Sequence, residues 1–202
     1  MRWVLYGVCV AVVVLAAGVV WTERSMASVE TPEYQVERSD GAFEVRRYPA
    51  LLVAQTAVSG PRDDAANAGF RTLASFIFGG NSDNEEISMT APVIQTPARR
   101  RSADGPAWTV DFVMPSRFTA KTLPRPRGEA VDIRKRPAER VAAVRFSGFA
   151  GEATLQRQTE ALKAWMADNG LTAAGPARFA FYDPPWRLPF MRRNEVMIPL
   201  AR

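Results

Sequence analysis

The clearest periodic pattern in the chain is an apolar face on a helix predicted over residues 59–80. Four apolar side chains recur at intervals of three and four residues, and so share one side of this helix: Phe70, Leu73, Ala74 and Ile77. Pro61 suits the first helical position, and Gly79 with Gly80 can supply the left-handed conformation that ends a helix. Such a face packs against a sheet or binds a ligand. Which of the two covers it is therefore a question about function.

Most of the remaining chain alternates between apolar and polar residues, which predicts β-strands. The stretches read as strands are residues 34–38, 43–48, 51–58, 87–94, 108–114, 131–134, 140–146, 178–182 and 195–200. A second amphipathic helix is predicted over residues 152–169, ended by Gly170. The pattern therefore predicts an α+β fold, a distorted antiparallel β-barrel of about eight strands flanked by two α-helices.

A comparison of the chain with itself reveals a weak repeat at an offset of 88 residues. The matches include Arg46 with Arg134, Pro49 with Pro137, and Ser59-Gly60 with Ser147-Gly148. Both copies run from a basic strand through a proline-marked turn and an alternating strand to a helix. This shared order predicts a duplicated unit, with similar halves over about residues 33–97 and 108–200, and a groove between them as a natural ligand site.

The amino-terminal segment is a separate feature of the chain. Residues 3–21 contain no charged side chain, and this length of 19 residues is close to the roughly 20 that a membrane-spanning helix requires. The competing reading is a cleaved secretory signal, because Ser25-Met26-Ala27 resembles a cleavage site. We therefore expect an anchor or signal with its linker over residues 1–29, and one domain over residues 30–202 on the extracytoplasmic side of a membrane or secreted.

The composition removes several classes of chemistry. There is no histidine, and the one cysteine, Cys9, lies inside the apolar segment, so histidine triads, histidine-ligated haem and cysteine metal clusters are excluded. The net charge is +5. The arginine run at residues 99–101 is flanked by turn-forming residues, so we read it as an exposed hairpin loop and expect no nucleic-acid partner.

Four segments, in order along the chain, resemble the SOUL haem-binding protein family. They are Phe43-Glu44-Val45-Arg46, Met89-Thr90-Ala91-Pro92-Val93, Tyr182-Asp183-Pro184-Pro185 and Arg192-Arg193-Asn194-Glu195-Val196. The resemblance implies a duplicated α+β fold that binds haem or another tetrapyrrole in an apolar cleft by the first helix.

Carried onto this chain, the resemblance implies a porphyrin-contacting face made by four residues: Phe70, Leu73, Ala74 and Ile77. Arg71 is the candidate partner for a propionate. If iron is ligated, the candidate atoms belong to Met89, Tyr48, Tyr182 or Met191. Asp183 or Glu195 is expected to pair with Arg192 or Arg193 and hold the long loop over residues 183–194.

These observations predict a membrane-anchored or exported tetrapyrrole-binding protein that is not an enzyme. One alternative is an enzyme acting on a hydrophobic small molecule, in which a carboxylate is the base: Glu85, Glu86, Asp183 or Glu195. Another is an interaction scaffold whose partner surface includes Trp186 and Phe190.

Overall fold

The computed structural model describes residues 29–98 and 107–201, which contain nine β-strands and two α-helices. The strands are β1 (Gln35–Asp40), β2 (Phe43–Tyr48), β3 (Leu51–Ser59), β4 (Val93–Pro97), β5 (Ala107–Val113), β6 (Asp132–Arg136), β7 (Glu139–Phe146), β8 (Arg178–Phe181) and β9 (Asn194–Pro199). The helices are α1 (Arg62–Ile77) and α2 (Glu152–Asp168), and a short 3₁₀ helix covers Pro189–Met191.

All nine strands belong to one antiparallel sheet with the order β1-β2-β7-β9-β8-β4-β5-β3-β6. The α+β class, the antiparallel pairing and the two helices were all predicted from the sequence. The sheet has β1 and β6 at its two edges, so it is a curled half-barrel of nine strands, where the sequence predicted a distorted barrel of about eight.

Both helices begin and end close to the predicted positions. Helix α1 starts directly after Pro61, carries Asp63 and Asp64 in its first turn near the positive end of the helix dipole, and is followed by Gly79 at φ +95°. Helix α2 ends one residue before the Asn169 cap, and Gly170 follows at φ +65°. A positive φ disfavours residues with a Cβ, so glycine is the natural residue at both ends.

The two helices cover the same face of the sheet. Neighbouring residues of a strand point to opposite faces. On β3, Ala54 packs in the cluster beneath α1, whereas Val53 belongs to a cluster on the other face; on β7, Ala142 and Ala143 divide in the same way, with Ala142 beneath α2. We call the helix-free face the inner face, because its apolar cluster joins strands from both halves.

Helix α1 lies so close to the sheet that no ligand-sized space remains beneath it. A Cβ placed on Gly69 would meet Cγ2 of Val110 on β5 at 2.5 Å, which is closer than real Cβ atoms approach. Leu73 and Ile77 fill the same interface and are fully buried. The apolar face predicted from the sequence therefore packs largely against the sheet.

The strand order reads the same from both ends once β1 is set aside. Starting from β2, the sequence of strands is β2-β7-β9-β8, and starting from the opposite edge it is β6-β3-β5-β4. An offset of about 88 residues carries β2 onto β6, β3 onto β7 and α1 onto α2. This is the order that a duplicated unit would give, so it supports the duplication that the sequence predicts.

The predicted membrane segment, residues 3–21, lies outside the described residues. Within residues 29–98 and 107–201, no helix has both the length and the apolar character needed to cross a membrane.

Candidate ligand site

The six residues predicted to bind the ligand fall into two groups. Leu73 and Ile77 are fully buried core residues, whereas Phe70 and Met89 are each 38% exposed. Arg71 is exposed and Ala74 is partly buried. A ligand on the outer surface of α1 can contact only the four that are exposed or partly buried, Phe70, Arg71, Ala74 and Met89. The assignment of all six residues to a binding site stays a prediction.

Phe70 is also engaged in packing within the protein. Its ring meets that of Phe112 on β5 edge to face, with 5.4 Å between the ring centroids. Phe78, one residue beyond α1, is 58% exposed and extends the apolar surface beyond Phe70 and Ala74. The outer side of α1 is therefore an open apolar stripe and not an enclosed pocket.

A large cleft opens at one end of the sheet and reaches onto the inner face. Its volume is about 1250 Å³. In an antiparallel sheet the last residues of some strands meet the first residues of others, and the cleft lies at such a meeting point. The strand ends that line it are those at Tyr48, Pro97, Glu139, Arg178 and Pro199.

The charged part of this lining is organised by ion pairs. Arg178 and Glu139 form a bidentate pair, with distances of 2.5 Å from Nη1 to Oε1 and 3.2 Å from Nη2 to Oε2. Arg47 and Arg140 face each other directly across β2 and β7, and both bind the carboxylate of Glu37 on β1. Two guanidinium groups thus share one carboxylate beside the cleft.

A second charged cluster lies farther along the inner face and centres on Glu195, whose side chain is fully buried. Arg46 on β2 donates from Nη1 to Oε2 at 2.7 Å and from Nη2 to Oε1 at 3.1 Å. Arg193 donates to Oε1 at 2.8 Å, and the Tyr182 hydroxyl donates to Oε2 at 2.9 Å. We call this group the Glu195 cluster, and it ties together β2, β8 and β9.

The Glu195 cluster keeps its charges despite burial. Burial alone would raise the pKa of Glu195, but the hydrogen bonds and charges of Arg46 and Arg193 outweigh it and lower that pKa. Burial, with the nearby Glu195 charge, raises the pKa of Tyr182, so its phenol keeps its proton. Hydrogen bonds from Arg46, Arg193 and Tyr182 occupy both carboxylate oxygens of Glu195, which gives it a structural role and leaves neither oxygen available as a general base.

A third cluster joins Asp111 on β5 to Arg136 on β6 and Gln55 on β3. Gln55 Nε2 donates to Oδ1 of Asp111 at 2.6 Å, and Arg136 Nη2 pairs with Oδ2. Burial raises the pKa of Asp111 and lowers that of Arg136, because the attraction between them does not fully offset the loss of solvent. Gln55 also lines the cleft, so this cluster supports its floor.

The four possible iron ligands named from the sequence lie in different surroundings. Tyr48 lies in the cleft lining with its oxygen 3.4 Å from Nη1 of Arg46, and burial raises its pKa. Tyr182 belongs to the Glu195 cluster, Met89 is exposed, and Met191 lies in the 3₁₀ helix. Across the described residues, no group of three or more histidine, cysteine or carboxylate side chains could hold a metal ion.

The loop between β8 and β9 is held at its base and apolar at its tip. Asp183 pairs with Arg187 at 2.8 Å and accepts from the backbone of Arg193 at 2.5 Å, while Glu195 pairs with Arg193. The pair of Glu195 with Arg193 agrees with the sequence prediction, whereas the side-chain partner of Asp183 is Arg187, which the sequence did not indicate. Four large apolar side chains of this loop and the adjacent one are exposed: Phe149, Trp186, Leu188 and Phe190.

Sequence reasoning predicted a groove between the two halves, and residues of both halves line the cleft, but it missed the buried charged clusters. Alternation in Phe43–Tyr48 already places Arg46 on one face with Glu44 and Tyr48, which was a signal that the inner face is polar. The partner, Glu195, is 149 positions away in sequence, and no local pattern identifies it.

The domain is an α+β fold made of one nine-stranded antiparallel sheet. Two helices cover one face of the sheet, and the other face is concave and polar, with an open cleft at its end. A family model described as SOUL heme-binding protein matches residues 29–199. The chain therefore belongs to the SOUL haem-binding protein family, as the sequence segments predicted.

Two curated relatives agree with this assignment. Heme-binding protein 1 of Mus musculus is 30% identical over 183 residues, with 86% of this chain and 94% of that protein covered. Heme-binding protein 2 of Homo sapiens is 30% identical over 181 residues, with 85% and 86% covered.

Solved structures with the same fold are more distant in sequence. The C-terminal domain of EcmrR has a TM-score of 0.57 at 14% identity, with 84% of this chain and 98% of that one covered. A hydrolase from Listeria innocua has a TM-score of 0.56 at 12% identity, with 82% and 94% covered. At these identities the likeness shows the fold alone.

Proposed function

We propose that this protein is an exported or membrane-anchored tetrapyrrole-binding protein that binds its ligand without histidine ligation and is not an enzyme. The observation that carries the proposal is membership of the SOUL family along almost the whole described chain, together with relatives named heme-binding proteins. The cleft of about 1250 Å³ supports it, because this volume exceeds the roughly 300–1,000 Å³ of a usual small-molecule pocket and so leaves room for a macrocycle.

The chain's own residues fit a tetrapyrrole held by burial and charge. The sequence has no histidine. Burial raises the pKa values of Tyr48, which is buried, and Tyr182, which is partly buried, and this favours the protonated phenol over an iron-binding phenolate. When bound, haem would supply its usual iron and porphyrin chemistry. The protein would contribute apolar surface for the macrocycle and guanidinium groups for its carboxylates.

A titration of the full-length chain tests this function. Haemin and metal-free protoporphyrin IX are added separately in one detergent, with protein-free micelles as the blank, and followed by visible absorption or fluorescence. We expect saturation near one equivalent for both probes, with affinities within about tenfold of each other because iron adds little without an axial histidine. Binding no tighter than to an unrelated basic protein of similar charge would refute the function.

The membrane part of the proposal depends on the uncharged segment at residues 3–21. Its length suits a spanning helix, and aromatic residues stand at both ends, where membrane interfaces favour them. Expression with a carboxyl-terminal tag and membrane fractionation tests it. We expect the intact chain in the membrane fraction, with the tag open to external protease. A shortened, soluble exported chain would indicate a cleaved signal, and a cytoplasmic soluble chain would refute export.

A second candidate function, an interaction surface, is favoured by the exposed aromatic tip of the β8–β9 loop. Trp186 is 78% exposed and Phe190 is 72% exposed. Phe149 lies beside them, with the Arg192 guanidinium 5.3 Å from its ring centroid. Isolated apolar surface residues are normal, but a group of four marks an interaction site more often. Replacing Trp186 and Phe190 together by serine should abolish partner binding and leave haemin binding unchanged.

A further inference from the structure

Four large apolar side chains lie exposed on two neighbouring loops, and we call them the apolar tip: Phe149, Trp186, Leu188 and Phe190. Phe149 belongs to the loop between β7 and α2, and the other three belong to the loop between β8 and β9. Among the described residues, Trp186, Phe190 and Phe149 are the most exposed large apolar side chains, at 78%, 72% and 69%. Such a group indicates an interaction surface, and the way the loops are built indicates its partner.

The two loops are hydrogen-bonded to each other, so the apolar tip is a preformed surface. The N–H of Gly148 donates to the carbonyl of Pro189 at 2.8 Å, and Asn194 Nδ2 donates to the carbonyl of Gly148 at 3.1 Å. The Arg192 guanidinium lies 5.3 Å from the ring centroid of Phe149. A surface that is ordered before its partner arrives loses little conformational entropy on binding.

Several backbone carbonyls of the β8–β9 loop have hydrogen-bond partners within the loop itself. Arg192 donates from Nε to the carbonyl of Arg187 at 2.8 Å and from Nη2 to that of Pro185. Three more carbonyls accept from backbone N–H groups three residues further on, those of Pro184, Leu188 and Pro189. An unpaired backbone group is costly in an apolar medium, so this internal pairing suits a loop that leaves water.

The charges around the apolar tip nearly cancel. Two arginines of the β8–β9 loop pair with carboxylates, in the pairs Arg187–Asp183 and Arg193–Glu195. The guanidinium of Arg192 binds carbonyls and a ring instead, which leaves one positive charge. Glu152, exposed in the first turn of α2, supplies a negative charge close to the shorter loop. Apolar contact, and not net charge, is therefore what this surface offers to a partner.

The size of the apolar tip fits a lipid surface better than a second protein. Three aromatic side chains and a leucine, largely exposed, present roughly 500 Å² of apolar surface, since one aromatic side chain buries about 150–250 Å². A stable protein interface buries about 800 Å² on each partner. A bilayer needs no such area, because single aromatic side chains, tryptophan above all, favour its interface with water.

The bilayer is also the partner nearest to this domain in the anchored state proposed above. The uncharged segment ends at residue 21 and β1 begins at Gln35, so the chain between them spans at most about 45 Å when extended. A tether of this reach gives the domain a high effective concentration at the membrane, and a weak contact then becomes populated.

We propose that the apolar tip inserts into the interface of a lipid bilayer and docks the domain on the membrane that holds its amino-terminal anchor. Trp186, Phe190 and Phe149 reach the boundary of the acyl chains, and the internally paired loop backbone lowers the cost of leaving water. This inference rests on the membrane location proposed above and not on the tetrapyrrole ligand. It specifies a lipid surface as the partner in the second candidate function.

Polarity-sensitive fluorophores on single cysteines of the full-length chain test the contact. Cys9→Ser removes the one native cysteine, and Trp186→Cys or Phe190→Cys then carries the label at the apolar tip. Phe78→Cys labels an exposed apolar position after α1, and Arg134→Cys labels an exposed polar position on β6. Each chain is reconstituted into phosphatidylcholine nanodiscs, one chain per disc, with and without a quencher on the lipid acyl chains.

We expect the labels at positions 186 and 190 to emit at shorter wavelength and to be quenched from the acyl chains, whereas those at positions 78 and 134 stay in water. With the label moved to Phe149→Cys, replacing Trp186 and Phe190 by serine should lower the docked-to-undocked ratio at least about tenfold, because two large apolar side chains are lost. Phe78→Ser, the matched loss of an exposed apolar side chain elsewhere, should leave the ratio unchanged.

The lipid composition separates apolar contact from charge attraction. Phosphatidylglycerol in the discs should change docking less than about fivefold, the scale of one basic residue at an anionic surface. Docking that requires anionic lipid would contradict the apolar contact.

The outcomes separate this inference from the proposed function. A chain that does not enter the discs overturns the anchored location, and this inference with it. An inserted chain whose labels at positions 186 and 190 stay in water overturns this inference alone. A spectral shift that needs two chains per disc would identify a second copy as the partner instead. Circular dichroism establishes that each variant is folded, and the haemin titration judges the tetrapyrrole ligand independently.

Discussion

Two carboxylates on the inner face are buried to the same degree but held in different ways. Glu195 is 0% exposed and Asp111 is 1% exposed. Glu195 receives hydrogen bonds from two arginines and a tyrosine, whereas Asp111 receives them from one arginine and one glutamine. The pKa of Glu195 is lowered and that of Asp111 is raised.

The comparison shows that the partners of a buried carboxylate, more than its depth, decide whether it stays charged. Removing an ion from water costs several kcal/mol, and one ion pair often fails to offset that loss. A second guanidinium changes the balance for Glu195. The Glu195 cluster therefore acts as a stabilising link between β2 and β9, whereas Asp111 and Arg136 form a pair that contributes little net stability.

The largest expected effect comes from removing the main partner of Glu195. Arg46→Ala should lower the free energy of unfolding by about 3–5 kcal/mol, because it leaves a buried carboxylate with incomplete compensation. Urea denaturation followed by circular dichroism measures the loss.

Arg134→Ala provides the matched control, since Arg134 lies 88 positions after Arg46 and pairs with Asp132 as Arg46 pairs with Glu44. Arg134 lies on the edge strand β6 and is 62% exposed, so its removal should cost about 0–1 kcal/mol. Similar losses for the two variants would contradict the role given to the Glu195 cluster.

Much of the fold could be predicted from local sequence. Alternation placed most strands within a few residues, and helix signals such as Pro61 and Gly170 placed both helices, because these features depend on backbone chemistry within one element. The strand predicted over residues 87–94 was wrong: β4 begins only at Val93, after Pro92, and lies inside the sheet between β8 and β5. The strand β6, with the sequence DIRKR, lies where the internal repeat predicted the basic strand that begins the second unit. The open form of the sheet was not predictable, because whether the edge strands β1 and β6 meet depends on pairing between distant parts of the chain.

The candidate site could be predicted less well. The periodic face of α1 is real, but periodicity cannot distinguish a face that packs against a sheet from one that binds a ligand, and the close approach of Gly69 to Val110 appears only in the fold. Arg47 and Arg140 are 93 positions apart in sequence, so their meeting at the cleft depends on the β2–β7 pairing. The family segments predicted the family and not the place of binding.

A smaller effect should distinguish the two carboxylates when each is replaced by its amide. Glu195→Gln should cost about 1.5–3 kcal/mol near neutral pH, since the charged hydrogen bonds from Arg46 and Arg193 lose their anion. Asp111→Asn should change stability by less than about 1 kcal/mol, because it also removes the unfavourable burial of a charge. Equal losses in urea denaturation would show that the second arginine does not matter.

The smallest expected effect is on the pH dependence of stability. The contributions of Glu195 and Asp111 to the free energy of unfolding should change with pH in opposite directions. The folded-state pKa of Glu195 lies below its ordinary value of 4.5, so its ionised form stabilises the fold above pH 4.5, and this stability is lost as the pH falls through the folded pKa. The folded-state pKa of Asp111 lies above its ordinary value of 3.8, so its contribution is greatest below pH 3.8 and is lost as the pH rises through the folded pKa.

Urea denaturation of the unaltered chain and the two amide variants between about pH 3 and pH 7 measures these slopes. The loss caused by Glu195→Gln should grow as the pH rises towards 4.5, while Asp111→Asn should become more favourable as the pH rises above 3.8. Because each variant is compared with the same parent, all other titrating groups cancel to first order. Parallel slopes would mean that the number of arginine partners does not set the charge state of a buried carboxylate in this protein.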